Sequence, residues 1–383
     1  MSRPVFAELI GQEQAISALE RALSASPENS GQEMTHAWLF TGPPGSGRSN
    51  IAKAFAAALL CKEGGCGDCP DCSTALAGSH PDIELVDVKG LSIKVDEIRE
   101  IVMRSSWGAS ISKWRVVVIE DCDRMTEAAA NALLKALEEP GASTIWLLCA
   151  PTLHDVLPTI RSRCRHINLK TPTKSEIADY LMNTLKADPK EAELAAEVSQ
   201  GHIGKAKRFL KDDETKSSRS KVFKLLFSVK SESDAISAAN DLLSLAQDRV
   251  EHRFASRIES ESEELKSLMQ SGSRGMVSGG AKALKDLEKD QKARTNRALK
   301  DEIDGFLLDY TTFFRDCLAE DGPLINSDFT TEISAMASGV AKERLNELIS
   351  KLNEVRELLM TSASQTLLLE SFFTQYARPN RGH

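Results

Sequence analysis

No apolar run in this sequence is long enough to cross a bilayer. The longest, around Ala54–Cys61, falls far short of the roughly 20 residues a spanning helix needs. The N-terminus has no apolar core of the kind that marks a secretory leader, because Pro4 and Glu8 interrupt it; a cytoplasmic protein is expected. Positive charge is not in excess either. Forty-eight Lys and Arg against 56 Asp and Glu leave a net charge of −8, which argues against a protein that simply coats nucleic acid, though not against local basic patches. Cysteines number only eight and are not spaced as a disulfide framework; four crowd together, the pattern of a reducing compartment and a metal site. The rest of the composition is that of a soluble chain of 383 residues, 41% hydrophobic and 27% charged, with room for two or three domains.

The stretch that organises the chain is Leu39–Asn50, LFTGPPGSGRSN. A short apolar strand, a glycine-rich turn and the start of a helix follow one another in the order a phosphate-binding loop requires. Gly42, Gly45 and Gly47 let the backbone turn tightly and approach an anion, and the amides of the new helix face it with the positive end of the dipole behind them. What the loop lacks is its lysine. The pattern G-x-x-x-x-G-K-[ST] is met except that Arg48 stands before Ser49, a planar fork in place of a compact point charge. The expectation is a nucleotide-binding core that has lost hydrolysis.

Residues 1–172 alternate apolar runs with helical patterns. Strands are predicted at His36–Thr41, Ile83–Val88, Trp114–Glu120, Thr144–Cys149 and His166–Leu169, and helices at Gln12–Leu23, Ser49–Leu60, Val95–Ser105 and Thr126–Glu139. Strands this continuously apolar fit a parallel sheet covered on both faces, with the ligand at the strands' carboxyl ends. Glu120 and Asp121 end the strand VVVIEDCD, where a P-loop ATPase holds magnesium and orients water. The usual order is Asp then Glu; a solvated acidic strand end is the plainer alternative. Ala130, Leu133, Leu134 and Leu137 share one helix face and are expected to be core.

Cys61, Cys66, Cys69 and Cys72 are threaded with Gly64, Gly65, Gly67 and Pro70, a spacing that lets four thiolates converge on a tetrahedral zinc ion. A redox dithiol is the rival reading, without a partner motif. Further on, Pro158–His166 reads as a short helix delivering Ser162-Arg163-Cys164 at its end, where arginine is also favourable for dipole reasons alone.

Taken together, FAELIGQE at Phe6–Glu13, the loop, the four cysteines, NALLKALEEP at Asn131–Pro140 and LPTIRSRC at Leu157–Cys164 resemble, in this order, the bacterial DNA polymerase III clamp-loader subunits. These are AAA+ proteins that open the ring-shaped sliding clamp and place it on primed DNA. The family has an ATP-hydrolysing branch and a delta prime branch with degenerate ATP residues. Arg48, the Glu120-Asp121 order, Ala150-Pro151 at the polar sensor's place and Gly204 at the later sensor arginine's place side with delta prime. The resemblance implies a hetero-oligomeric ring with the ATPase subunits and delta, contact with the clamp and primer-template DNA through the complex, structural zinc, and at most weak ATP or ADP with magnesium. It carries onto Arg163 the role of an arginine finger completing a neighbour's site. An active ATPase subunit, and a zinc scaffold without a replication role, are the alternatives.

Beyond Thr171 the strands stop. Ser175–Asn183, Glu191–Ser199 and Gly204–Leu210 read as short helices, and the pattern stays helical to the end; the resemblance implies a small helical lid over 173–213 and an all-helical collar over 214–383. A Glu/Ser-rich then Gly/Ser-rich stretch, about 259–293, is expected to be a flexible insert. The basic run Lys282–Lys300 reads as a solvated helix face more readily than as a DNA contact. Pro379–His383 is expected to be a mobile tail.

Overall fold

The computed structural model describes residues 3–24, 34–43, 45–86, 92–211, 213–271, 277–319 and 322–378. It divides into two compact units, the first reaching to Lys211 and the second running from 213 onward.

The first unit is built on five parallel strands: β1 (Ala37–Thr41), β2 (Ile83–Val86), β3 (Arg115–Ile119), β4 (Thr144–Ala150) and β5 (Arg165–Asn168), ordered β2-β3-β4-β1-β5. Every residue of β1 and β4 is buried, so both faces of the sheet are covered, and alternation along each strand sends successive side chains into two separate cores. Trp38, Phe40, Val116 and Val118 pack on one face against α1 (Glu13–Ser24) and α2 (Arg48–Leu60), where Trp38 meets Phe55 edge-on at 5.1 Å. Leu39, Val117, Ile119, Trp146 and Leu148 pack on the other face with α4 (Val95–Ser105), α5 (Glu127–Glu138) and the single turn α6 (Pro158–Arg161). A further short helix, α3 (Pro70–Ala77), carries the end of the cysteine cluster, with Cys69 at its cap and Cys72 in its first turn.

The strand ends differ from the sequence-based ones by a residue or two at most where they are described, the spread expected at element termini. Residues 87 and 88, expected in β2, lie outside the described residues. β1 is the switch point. It lies between β4 and β5, in register Thr41 with Ala150 and with Asn168, so that the carboxyl ends of β1, β3 and β4 open on one rim.

Three helices complete the unit: α7 (Lys174–Leu185), α8 (Pro189–Ser199) and α9 (Ile203–Lys211). Thr173 and Glu176 form a capping box at the start of α7, and Asp188 caps α8 ahead of Pro189. Ile177, Leu181, Ala192, Ala196, Ala206 and Phe209 form their own small core.

The long elements of the second unit are all helices: α10 (Asp213–Ser228), α11 (Glu232–Ser271), α12 (Val277–Leu318), α13 (Thr330–Gly339), α14 (Lys342–Leu359) and α15 (Gln365–Ala377). Its core is aromatic. Phe223, Tyr310, Phe313, Phe314, Phe372 and Phe373 are fully buried, and the Tyr310 hydroxyl donates to the Val222 carbonyl at 2.7 Å. Arg219 is buried beside them, held by Asp328 at 3.0 Å and by Asn326 at 2.8 Å.

Here the flexible insert expected over about 259–293 is corrected. Residues up to Ser271 and from Val277 onward are helix, and only 272–276 of that span lie outside the described residues. A Glu/Ser/Lys-rich composition without apolar periodicity looks like a linker, yet Glu, Lys and Arg are good helix formers. Ion pairs supply what the core does not. Glu261 accepts from Arg257 one turn away at 2.9 Å and from Arg294 of the facing helix at 2.7 and 2.8 Å. The tail from 379 on lies outside the described residues.

No described helix is long and apolar enough to cross a membrane.

Candidate functional site

The loop leaves β1 at Thr41 and enters α2 at Arg48, with Gly47 as the cap residue at φ 89°. A Cβ added at Gly47 would meet nothing within 4 Å, so the helix N-terminus faces open space. The back of the loop is held firmly. Gly42 donates its N–H to the Pro151 carbonyl at 3.1 Å, so the residue after β4 serves as a strut. Gln12, buried at the head of α1, donates to the Lys170 carbonyl at 2.7 Å and to Ser46 O at 3.4 Å, and accepts from Lys170 N–H at 3.2 Å. Helix α1, the loop and the exit of β5 are thereby tied through one side chain.

The charged residues expected at this site do come together, in an unexpected arrangement. Arg48 turns back: its Nη1 donates to the Gly42 carbonyl at 2.5 Å and its Nη2 lies 3.7 Å from Asp121. Asp121, in the left-handed region at φ 48°, also lies 3.9 Å from Arg124. Glu120 is paired with Lys53 at 3.1 Å. Lys53 was not singled out from sequence; the available signal is its place one and a half turns after Arg48, on the side of α2 that meets β3. Both carboxylates after β3 therefore already have cationic partners. Ser49 lies in the first turn of α2, half-buried. At the end of β4, Ala150 is fully buried and apolar, with no group to orient a water.

The lid reaches this loop through His202, which sequence reasoning passed over. A Cβ on Gly45, itself at φ 89°, would lie 2.7 Å from the His202 Cβ. Burial, with help from the charges of Lys205 and Arg208, pushes the His202 imidazole down to about 4, so it packs there neutral. Gly204, expected at the sensor arginine's place, is the second residue of α9, which begins at Ile203.

Arg163 does not join the loop. Its Nη1 donates to Thr159 O at 2.8 Å and to Ser162 Oγ at 3.2 Å, and its Nη2 pairs with Glu138 at the last residue of α5.

The four cysteines converge. Their sulfurs all lie within 4.8 Å of one another, with Cys61 at 3.7 Å from Cys66 and 3.6 Å from Cys69, and Cys66 at 4.0 Å from Cys72. A zinc ion with bonds of about 2.3 Å to four thiolates sets a tetrahedral edge of about 3.8 Å, so this donor set fits a metal of that kind. Backbone amides already point at the sulfurs: Gly67 N–H at Cys72 (3.4 Å) and Cys72 N–H at Cys69 (3.3 Å). Burial works to raise the Cys61 thiol, but N–H groups of Cys66 and Gly65, the Cys72 thiol and the Glu63 backbone prevail and bring it down to about 6, while Cys69 and Cys72 are pushed up. The N-terminal segment packs on the module. The Arg3 guanidinium donates to Gly64 O, Val5 N–H reaches Gly65 O at 3.5 Å, and a Cβ on Gly65 (φ 112°) would strike Val5 at 2.8 Å.

A parallel sheet in this order, a glycine-rich loop after the strand at the switch point, carboxylates after β3 and a three-helix lid beside the loop make an α/β module of the kind expected of an AAA+ protein. Residues 11–173 match the family described as "DNA polymerase III, delta subunit". The chain is 37% identical over 163 residues to DNA polymerase III subunit delta' of Pseudomonas aeruginosa, covering 41% of this chain and 50% of that one. It is 35% identical over 195 residues to subunit delta' of Bacillus subtilis, covering 50% and 59%. It is also 36% identical over 166 residues to subunit gamma/tau of Mycobacterium tuberculosis, covering 42% and 28%. The matches thus span little more than half the length of the delta' relatives. Over this N-terminal region the chain is similar to subunits of DNA polymerase III, delta' and gamma/tau alike.

Proposed function

We propose that this chain is the delta prime subunit of a bacterial DNA polymerase III clamp loader. It would act in the cytoplasm, in a hetero-oligomeric ring with ATPase subunits and delta, and help place the sliding clamp on primer-template DNA. The collar at 214–383 would carry its ring contacts. Its own nucleotide site would not turn over. The observation that carries this last reading is that Glu120 and Asp121 are already neutralised by Lys53 and Arg48. To hold magnesium, these carboxylates would have to give up both ion pairs, and nothing at Ala150 could orient the water. ATP or ADP could still meet the amides of Gly45 and Gly47, Arg48 and Ser49, weakly. A structural zinc on Cys61, Cys66, Cys69 and Cys72 is part of the reading; four thiolates would leave it no open position for chemistry.

The chain's catalytic contribution would be Arg163, supplied to a neighbour's nucleotide. A guanidinium stays charged at any working pH and meets phosphate oxygens through two parallel hydrogen bonds. Fingers of this kind are worth about 10³–10⁵ in rate at one site; a ring with several sites would lose less. The purified chain is expected to show no steady ATPase. A ring assembled with Arg163→Ala should lose clamp- and DNA-stimulated ATPase and clamp loading while still assembling. Turnover by the isolated chain that vanishes in Arg48→Ala would instead mark an ATPase subunit.

A further inference from the structure

The charge that holds Arg163 belongs to Glu138, and its position is unusual. It is the last residue of α5, so its carboxylate sits at the negative end of a helix dipole, where an acid is disfavoured. The Arg163 guanidinium is what offsets that placement, through Nη2, while Thr159 O and Ser162 Oγ hold Nη1. Both side chains are part-exposed, 35% for Arg163 and 50% for Glu138, so the pair lies at a surface and can open without disturbing a core. Glu139, its neighbour, is exposed.

We propose that Glu138 is a positioning residue for Arg163, a tether whose carboxylate competes with a neighbouring subunit's nucleotide phosphate for the same guanidinium. The inference rests on the finger reading above. A phosphate seeks the parallel N–H pair that a carboxylate also fits, so Nη2 cannot serve both at full strength. With Glu138 in place, the finger goes over to phosphate only when the interface presents the γ-phosphate close enough to displace the carboxylate. Without it, the finger is free to engage prematurely. The tether would suppress ATP turnover before clamp and DNA arrive, rather than raise the stimulated rate.

The test uses the whole reconstituted ring with Glu138→Gln, which keeps shape and removes charge. Glu138→Asp keeps the charge but shortens the reach, and Glu139→Gln serves as control. Unstimulated ATPase is expected to rise about two- to five-fold with Glu138→Gln, the range open to an exposed ion pair. Stimulated ATPase should change little, and Glu138→Asp should behave like Gln. The control should match wild type. Combining Glu138→Gln with Arg163→Ala should abolish the rise, which a merely structural role for Glu138 would not do. An unstimulated rate equal to or below wild type, or a rise that survives Arg163→Ala, overturns the tether. Should Arg163→Ala alone leave stimulated ATPase and loading intact, the finger reading falls and the tether falls with it.

Discussion

His202 packs the lid against the loop at Gly45, and its burial is expected to make that contact sensitive to acid. Folded, the imidazole takes up a proton only near pH 4, whereas in the unfolded chain it does so near 6.5. Between those values the unfolded state binds more protons, so stability rises with pH and falls on acidification from 6.5 toward 4. The loss from this one residue is expected to reach at most about 1.4 kcal/mol per pH unit. Thermal melts at pH 7.5 and 5 should show it, and His202→Gln should flatten the dependence. A steeper acid dependence in the variant would contradict the account. Gly45 is the other side of this contact. Gly45→Ala adds a Cβ at positive φ and 2.7 Å from His202, and should lower the melting temperature where Gly47→Ala, with open space ahead of it, costs only its backbone strain.

Among the elements, the cysteine module and the N-terminal segment are expected to open as one piece, because Arg3 and Val5 pack on Gly64 and Gly65. Freshly purified protein is expected to contain about one zinc per chain, the number four cysteine ligands hold. Chelation, or Cys66→Ser, should raise hydrogen exchange over residues 61–72 and 3–6 together while β1, β3 and β4 stay protected. Exchange rising in 61–72 alone would separate the two segments. In helix α5, Leu133→Ala should cost about 2–5 kcal/mol, since the side chain is wholly buried against the sheet.

These elements were legible in the sequence to different degrees, for physical reasons. Strands β1 and β4 are read from unbroken apolar runs, and the cysteines from spacing, because each signal is local. Lys53, His202 and Glu138 were not, since a helix surface lysine, a loop histidine and a helix-end glutamate gain their meaning only from a partner distant in the chain. Within the long helices α11 and α12, only the stretch at about 259–293 was expected as a flexible insert, for the opposite reason. Their cohesion past Val250 comes largely from charges such as Glu261 and Arg294, which leave no apolar period to detect.

At the scale of the whole molecule, the sheet and lid cores stay within the first unit, and the aromatic core around Tyr310 stays within the second. A fragment ending at Lys211 should therefore fold alone, with a single cooperative melt and protected β1 amides; a molten spectrum would show that it needs the helical unit. In the proposed ring, that fragment should fail to co-purify with the other subunits. The ion pairs after β3 bear on the ring as well. Magnesium is a dissolved ion and can be titrated away, whereas Arg48 and Lys53 are bonded to the backbone and cannot leave. On the proposed reading, the charge balance in this corner would be set at synthesis rather than by the cell's ion pool. Among seats that fill and empty with metal and nucleotide, this one would be deaf to the metal.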